Sequence, residues 1–372
     1  MGKGHFRLVP YRLLPWIDWW LIALTLALVA CGIITLWGAI SEGAGPGPLR
    51  GYAARQCVWA GVGLVVMFGL IAFDYRQLRH VSWALYGVFV LALVGLLLKG
   101  EAIKGARSWY DLGFFRLQPI EPGKIILVLV IAKYLAARAR TFRGLHHTFK
   151  PLGIMALPLV LVLVQPDFGG TMVFMPVIAA MFWVAGLRKW VFVLGLCLGL
   201  GAIALGYPHL KPYQQERIKT FLNPEADRKG KGWNIVQAQI TLGSGGVVGK
   251  GWGMGTQTAL NFLPEAHTDF IFPTAGEQFG LVGCGVIVLL LTMLLGRLFQ
   301  LASRVHDLYG TLIIVGLATT LGTHVVFNIG MCVGVLPVTG LPLPFFSYGG
   351  SFMLTCLTMI GLTLSIAARR GL

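Results

Sequence analysis

From Leu308 to Ala368 the chain carries no Asp, Glu, Lys or Arg. A soluble domain is roughly 25% charged, so a stretch this long without one ionised group has no means of covering a water-facing surface. It does suit a bilayer, where a crossing helix needs about 20 mostly apolar residues. The rest of the chain agrees: of 372 residues only 12% are charged and 56% are hydrophobic, with a mean hydropathy of +0.76. Soluble, disordered and secreted classes are excluded. The expectation is an all-α polytopic membrane protein, a single domain over 1–372. The 50 Gly and 18 Pro fit closely packed or broken transmembrane helices.

Apolar runs predict about ten spans, near 19–38, 58–73, 81–98, 122–137, 151–165, 168–187, 190–207, 279–296, 308–335 and 351–368. The runs at 122–137 and 151–165 are short, and charge supports them. With both termini cytoplasmic, the basic cluster Arg138, Arg140, Arg143 and Lys150 falls inside, as the positive-inside rule requires; without the pair it falls outside. The formal net charge of +16 then marks cytoplasmic loops and contact with membrane lipid, and no nucleic-acid partner is expected. The first apolar run is long enough to span and lacks a small-residue cleavage site, which predicts an uncleaved signal-anchor. None of the six cysteines has C-x-x-C spacing; they read as small core fillers, with neither a disulfide framework nor a metal site.

Only Asp18, Asp74 and Asp307 lie at the inner side; the other acids, from Glu42 to Glu277, fall at outer loops or outer helix ends. The one long non-spanning piece, 208–276, is also outer. Its tryptophans and its apolar run 235–242 predict short amphipathic helices at the membrane surface. Gly243–Gly255, GSGGVVGKGWGMG, fails as a Walker A loop because Ser244 and Gly251 stand where Gly and Ser or Thr are needed. It reads as a turn with backbone close to helices, with a nest of N–H groups for a pyrophosphate as the other reading. In NFLPEAHTDFIF, Pro264 predicts a helix start with Glu265 and Asp269 on one face, and Phe270, Ile271 and Phe272 anchoring it at the lipid boundary. A carboxylate at that boundary is costly and marks function, so Asp269 is a candidate site residue. Glu277 is read as structural, paired with an outer Lys or Arg.

In QPIEPGK, Pro122 suits a helix N-terminus, placing Glu121 at the cap and Lys124 one turn in. The two are either a structural ion pair or a substrate contact. QPDFGG is a tight outer turn bearing Asp167. The connection LPVTGLPLPFFSYGGS is apolar and charge-free and is expected to dip into the membrane.

These strings, together with YQQERIKTFLNPEADRKGKGWNIVQAQI, GEQFG and THVVFNIGMCVGVLPVTG, resemble the SEDS family (shape, elongation, division and sporulation) over about 55–370, most like its elongation branch. Departures are small: Ile120 where the family usually has Ser, Gly170 before Thr171, and Gln278 beside Glu277 where a second acid is common. The resemblance implies a peptidoglycan glycosyltransferase that polymerises lipid II at the outer face of the bacterial cytoplasmic membrane during cell elongation, beside a class B penicillin-binding protein. It implies Asp269 as the catalytic aspartate and Glu121–Lys124 as a pair important for activity. Such an inverting transfer, with undecaprenyl pyrophosphate leaving, calls for a base at the acceptor hydroxyl and cations at the leaving group. Lys104, Arg107, Arg217 and Lys219 are unranked candidates for the cations. No tightly bound cofactor is expected; a divalent cation, Mg or Mn, is compatible with the pyrophosphate. The alternative function is a lipid II flippase, and a third is a scaffold that activates its partner. Transport calls for charges at mid-membrane, whereas here ionisable groups gather at the outer end.

Overall fold

The computed structural model describes residues 15–39, 49–103, 106–111, 113, 116–138, 147–165, 167–195, 197, 215, 231–260 and 262–370. The described helices are α1 (Trp19–Gly38), α2 (Leu49–Ala72), α3 (Leu78–Lys99), α4 (Ile120–Ala137), α5 (Phe149–Val164), α6 (Phe168–Met172), α7 (Phe174–Val184), α8 (Lys231–Ser244), α9 (Thr256–Ala259), α10 (Ile271–Ala302), α11 (Leu308–Cys332) and α12 (Gly350–Ala368). Six of them, α1–α3 and α10–α12, are long and apolar enough to cross a membrane, and α5 and α6–α7 are shorter apolar helices. The expected span near 190–207 lies largely outside the described residues.

The spans start where polar caps allow. Asp18 accepts from the Leu21 N–H at the start of α1, and Asp307 accepts from Tyr309 and Gly310 at the start of α11, satisfying helix-end donors that lipid would leave bare. Both caps are also tied across the inner end of the bundle. Asp18 pairs with Arg297 of α10 at 2.6 Å, and Asp307 accepts from the Tyr75 hydroxyl at 3.1 Å. The centre of the bundle is α11 and α12, whose residues are mostly buried, with α2 and α4 packed around them. All six cysteines are free thiols.

One element adds to the expectations and three expectations are corrected. First, in the outer connection after α3, strands β1 (Glu101–Ile103), β2 (Ala106–Asp111) and β3 (Arg116–Leu117) form a small antiparallel sheet, pinned to α3 by the Tyr110 hydroxyl on the Ala92 carbonyl at 2.8 Å. At its tip the Gly113 N–H and the Arg116 guanidinium hold the Asp111 carboxyl below its ordinary range. Second, α4 begins at Ile120 with Pro119 as its N-cap, so Glu121 sits in the first turn rather than at the cap, and Pro122 is accommodated there because first-turn N–H groups need no helical partner. Third, residues 264–270 form turns, not a helix, with Glu265 at φ 55°. Its carbonyl accepts from both Thr268 N and Phe270 N, three and five residues on, in place of the i→i+4 bond of an α-helix. Fourth, Phe270, Ile271 and Phe272 are buried in the core and not at the lipid boundary, because they open α10 against the bundle.

α10 is broken at Gly280, which has φ 67° and ψ −164°, a conformation open to glycine. The glycine-rich loop repairs the ladder. Leu281 N and Val282 N donate to the Gly246 and Val247 carbonyls at 2.9 and 3.1 Å, while Lys250 N and Gly251 N donate to the Glu277 and Gln278 carbonyls, also at 2.9 and 3.1 Å. The loop therefore replaces the helical bonds that the break removes, and the N–H groups of Lys250 and Gly251, unlike those of a phosphate nest, are already committed. Sidedness follows from the charge pattern. In a variant with its native cysteines replaced, Val248→Cys should label from outside the cell and Lys150→Cys from inside; the opposite accessibility at either position would overturn the topology.

Candidate functional site

Asp269 is the last residue but one before α10, half-buried, on a turn whose backbone is held from three sides. The His267 carbonyl accepts from Tyr348 N at 2.9 Å, the Thr268 carbonyl from the Ser347 hydroxyl at 2.6 Å, and the Asp269 carbonyl from Asn328 Nδ2 at 2.9 Å. Three successive carbonyls are thus tied to α11 or to the 336–349 connection. That connection is itself fixed: Ser347 Oγ accepts from Leu343 N at 2.7 Å, and the Gln56 amide clasps Ser347 O and Gly349 N. It buries Leu341, Leu343, Phe345 and Phe346 and has no helix or strand, as irregular backbone at membrane depth requires protein around it.

The carboxylate lies against Gly340. A Cβ built on that residue would stand 3.4 Å from Asp269 Oδ2, an ordinary contact, and Gly340 has φ 75°, which favours glycine there. On the other side of the turn Tyr52 stacks on the His267 ring with centroids 4.9 Å apart and contacts Tyr348 at 4.6 Å. Thr268 donates to the Glu265 carboxylate at 3.0 Å.

Glu121 and Lys124 do come together. Lys124 Nζ lies 2.8 Å from Glu121 Oε1, with side-chain exposures of 1% and 5%, and 2.8 Å from His324 Nε2. The Phe352 ring sits 5.6 Å away over the ammonium. With every direction occupied, the pair is sealed in protein. An ammonium that binds substrate has to present a free N–H, and this one spends its hydrogens on Glu121 and His324.

QPIEPGK and QPDFGG meet as well. Gln118 Nε2 donates to Asp167 Oδ2 at 3.2 Å, and Asp167 Oδ1 caps α6 through Gly170 N at 2.9 Å. Glu277, fully buried, pairs with Lys250 at 2.7 Å and accepts from Gln257 N and from Thr258, which agrees with a structural role. Of the cation candidates, Lys104, Arg217 and Lys219 lie outside the described residues; Arg107 is on β2, and its side chain also lies outside them. Among the described residues no three His, Cys, Asp or Glu side chains gather as metal ligands.

Sequence reading passed over His324 and Asn328. The signal was present: two strongly polar side chains, i and i+4, in a stretch without any ionised group.

The model of the cell cycle protein family of FtsW, RodA and SpoVE matches residues 18–371. The chain belongs to this family. The peptidoglycan glycosyltransferase RodA of Treponema pallidum is 32% identical over 426 residues, covering 95% of this chain and 98% of its own. The peptidoglycan glycosyltransferase MrdB of Escherichia coli K12 is 34% identical over 353 residues, covering 94% and 93%. Among solved structures, a chain from a peptidoglycan synthase complex that coordinates polymerization and crosslinking superposes with a TM-score of 0.81 at 35% identity, covering 95% of this chain and 98% of that one. The Thermus thermophilus rod shape determining protein RodA superposes with a TM-score of 0.72 at 32% identity, covering 95% and 97%. As a SEDS protein the chain is a multi-pass protein of the bacterial cytoplasmic membrane.

Proposed function

We propose that this SEDS protein polymerises lipid II into glycan strands at the outer face of the membrane during cell elongation, with Asp269 as the base and undecaprenyl pyrophosphate as the leaving group. The observation that carries the reading is the Asp269 carboxylate, half-buried on a clamped turn against a glycine that leaves room beside it. The chain is a glycosyltransferase of peptidoglycan synthesis. In the reaction the acceptor 4-hydroxyl forms a C–O bond to the donor's anomeric carbon and gives its proton to Asp269. The anomeric carbon–pyrophosphate bond breaks, and its electrons leave with the pyrophosphate. A free Asp near pKa 3.9 is a weak base, so the proton moves as the C–O bond forms. Lys104, Arg107, Arg217 and Lys219 are the proposed cations for the leaving group. One carboxylate with substrate phosphates is also a donor set that fits Mg or Mn. This gives Asp269 a second reading, as a metal ligand.

The partner in this proposal is a class B penicillin-binding protein, whose single helix packs on the apolar outside of the bundle. The purified chain with lipid II should form glycan strands, and faster with that partner at saturating lipid II. Lipid II flipping in proteoliposomes without any strand formation would favour the flippase, and equal turnover with and without the partner would remove the partner from the scheme.

A further inference from the structure

We propose that His324 and Asn328 are positioning residues for glycosyl transfer. Side by side on α11, they lock the connection at 340–342 to the Asp269 turn, so that the carboxylate holds one orientation toward the acceptor. The proposal rests on Asp269 as the base.

Both side chains are 0% exposed, so neither touches substrate, and both spend their hydrogens on backbone carbonyls. His324 Nδ1 lies 3.0 Å from the Pro342 carbonyl. A carbonyl only accepts, so Nδ1 carries the hydrogen and the ring is the neutral Nδ1–H tautomer. Nε2 is then bare and accepts from Lys124 Nζ at 2.8 Å. Asn328 Nδ2 has two hydrogens and two acceptors, the Asp269 carbonyl at 2.9 Å and the Leu341 carbonyl at 2.8 Å. One amide nitrogen thus joins the backbone of the aspartate to the connection, and the histidine holds the next carbonyl along. The residue just before those two carbonyls is Gly340, the one that abuts Asp269 Oδ2.

This arrangement gives the buried Glu121–Lys124 pair a task. An ammonium can only donate, so it forbids a hydrogen on His324 Nε2 and forces the hydrogen onto Nδ1, where Pro342 needs it. Glu121, accepting at 2.8 and 2.9 Å, keeps that ammonium pointed. The pair acts on the site through a tautomer and a loop, with no contact to the sugar. Misplacing a catalytic group by about 1 Å costs about 10²-fold in rate, so a tether of this kind reads out in turnover.

Two variants separate the two ends of the imidazole. In His324→Gln the amide reaches the Nε2 position, where its oxygen accepts from Lys124, and nothing donates to Pro342. In His324→Asn the amide occupies the Nδ1 position, where it donates to Pro342, while Lys124 keeps Glu121. With the full-length enzyme, its penicillin-binding partner and purified lipid II, His324→Asn should keep kcat within about threefold, whereas His324→Gln should lose about tenfold or more in kcat with KM unchanged. Equal losses in both variants, or a more active Gln variant, overturn the proposal. Asn328→Asp, which offers at most one hydrogen where two are used, is the second measurement: it should lower kcat like His324→Gln with KM unchanged, and an undiminished kcat overturns the proposal. Asp269→Asn run alongside keeps the two readings apart. If it stays active, the base assignment fails; if it is inactive and the two His324 variants are alike, only the positioning proposal fails.

Discussion

Asp269→Asn is expected to fold, to bind lipid II and to form no glycan strands at a measurable rate. Asn is nearly isosteric, and the turn that carries residue 269 is held through backbone carbonyls: Tyr348 N on residue 267, Ser347 Oγ on residue 268 and Asn328 Nδ2 on residue 269. None of these bonds involves the carboxylate, so the clamp survives the substitution. What is lost is the proton acceptor, and removal of a general base costs typically about 10²–10⁴-fold. Asp269→Glu keeps a carboxylate but moves it by one methylene toward Gly340 and should retain a trace of activity. Partial recovery of the Asn variant at raised Mg or Mn would assign a metal-ligand role instead. Strand formation from purified lipid II is the measurement, with thermal stability as the folding control. A well-folded Asn variant within about threefold of wild type, under about 1 kcal/mol in barrier, removes Asp269 as the base.

The largest loss of stability is expected at the buried ion pair. Lys124→Met leaves the Glu121 carboxylate without the ammonium that faces both its oxygens, and Glu121→Leu strands the ammonium at a site 1% exposed. Breaking such a pair typically costs about 3–5 kcal/mol, because the surviving charge stays buried and uncompensated. The double variant Glu121→Leu with Lys124→Met removes both charges and should recover most of that loss. It should not recover all of it, since His324 Nε2 then has no donor, a cost of about 1–3 kcal/mol. Thermal unfolding of the four proteins in one detergent gives the cycle. A double variant as unstable as the worse single would show that the pair is held by its packing and not by its charges.

The features legible in the sequence were those with a side-chain signature. Apolar length gave the spans, and the cost of charge in lipid made Glu121 and Lys124 readable as a pair, which they form. The partner of Glu277 was foreseen as an outer cation because a buried carboxylate needs one, and Lys250 is that cation. What escaped was built from backbone. The acceptors that organise the site are the carbonyls of Asp269, Leu341 and Pro342, and a carbonyl is present at every position, so nothing in the residue string marks these three. The turn at 264–270 escaped for a related reason. Pro264 suits a helix start, but the positive φ of Glu265 is imposed by the hydrogen bonds around it and is not a propensity of Glu. GSGGVVGKGWGMG was recognisable as a glycine-rich turn, yet its place as a patch on α10 depends on Gly280, which lies far along the chain.

That break also sets how much of α10 the membrane has to hold. An unbroken helix of 32 residues is about 48 Å long, well beyond a hydrocarbon layer of about 30 Å, and would have to tilt steeply or thicken the bilayer around it. Cutting it at Gly280 leaves Leu281–Ala302, about 33 Å at about 1.5 Å per residue, which matches the layer with little tilt. The piece from Ile271 to Phe279 is excused from hydrophobic matching altogether. The glycine therefore works as a depth gauge: it registers the lower part of the helix to lipid thickness and leaves the upper part, with Asp269 at its head, to be set by the loops packed around it.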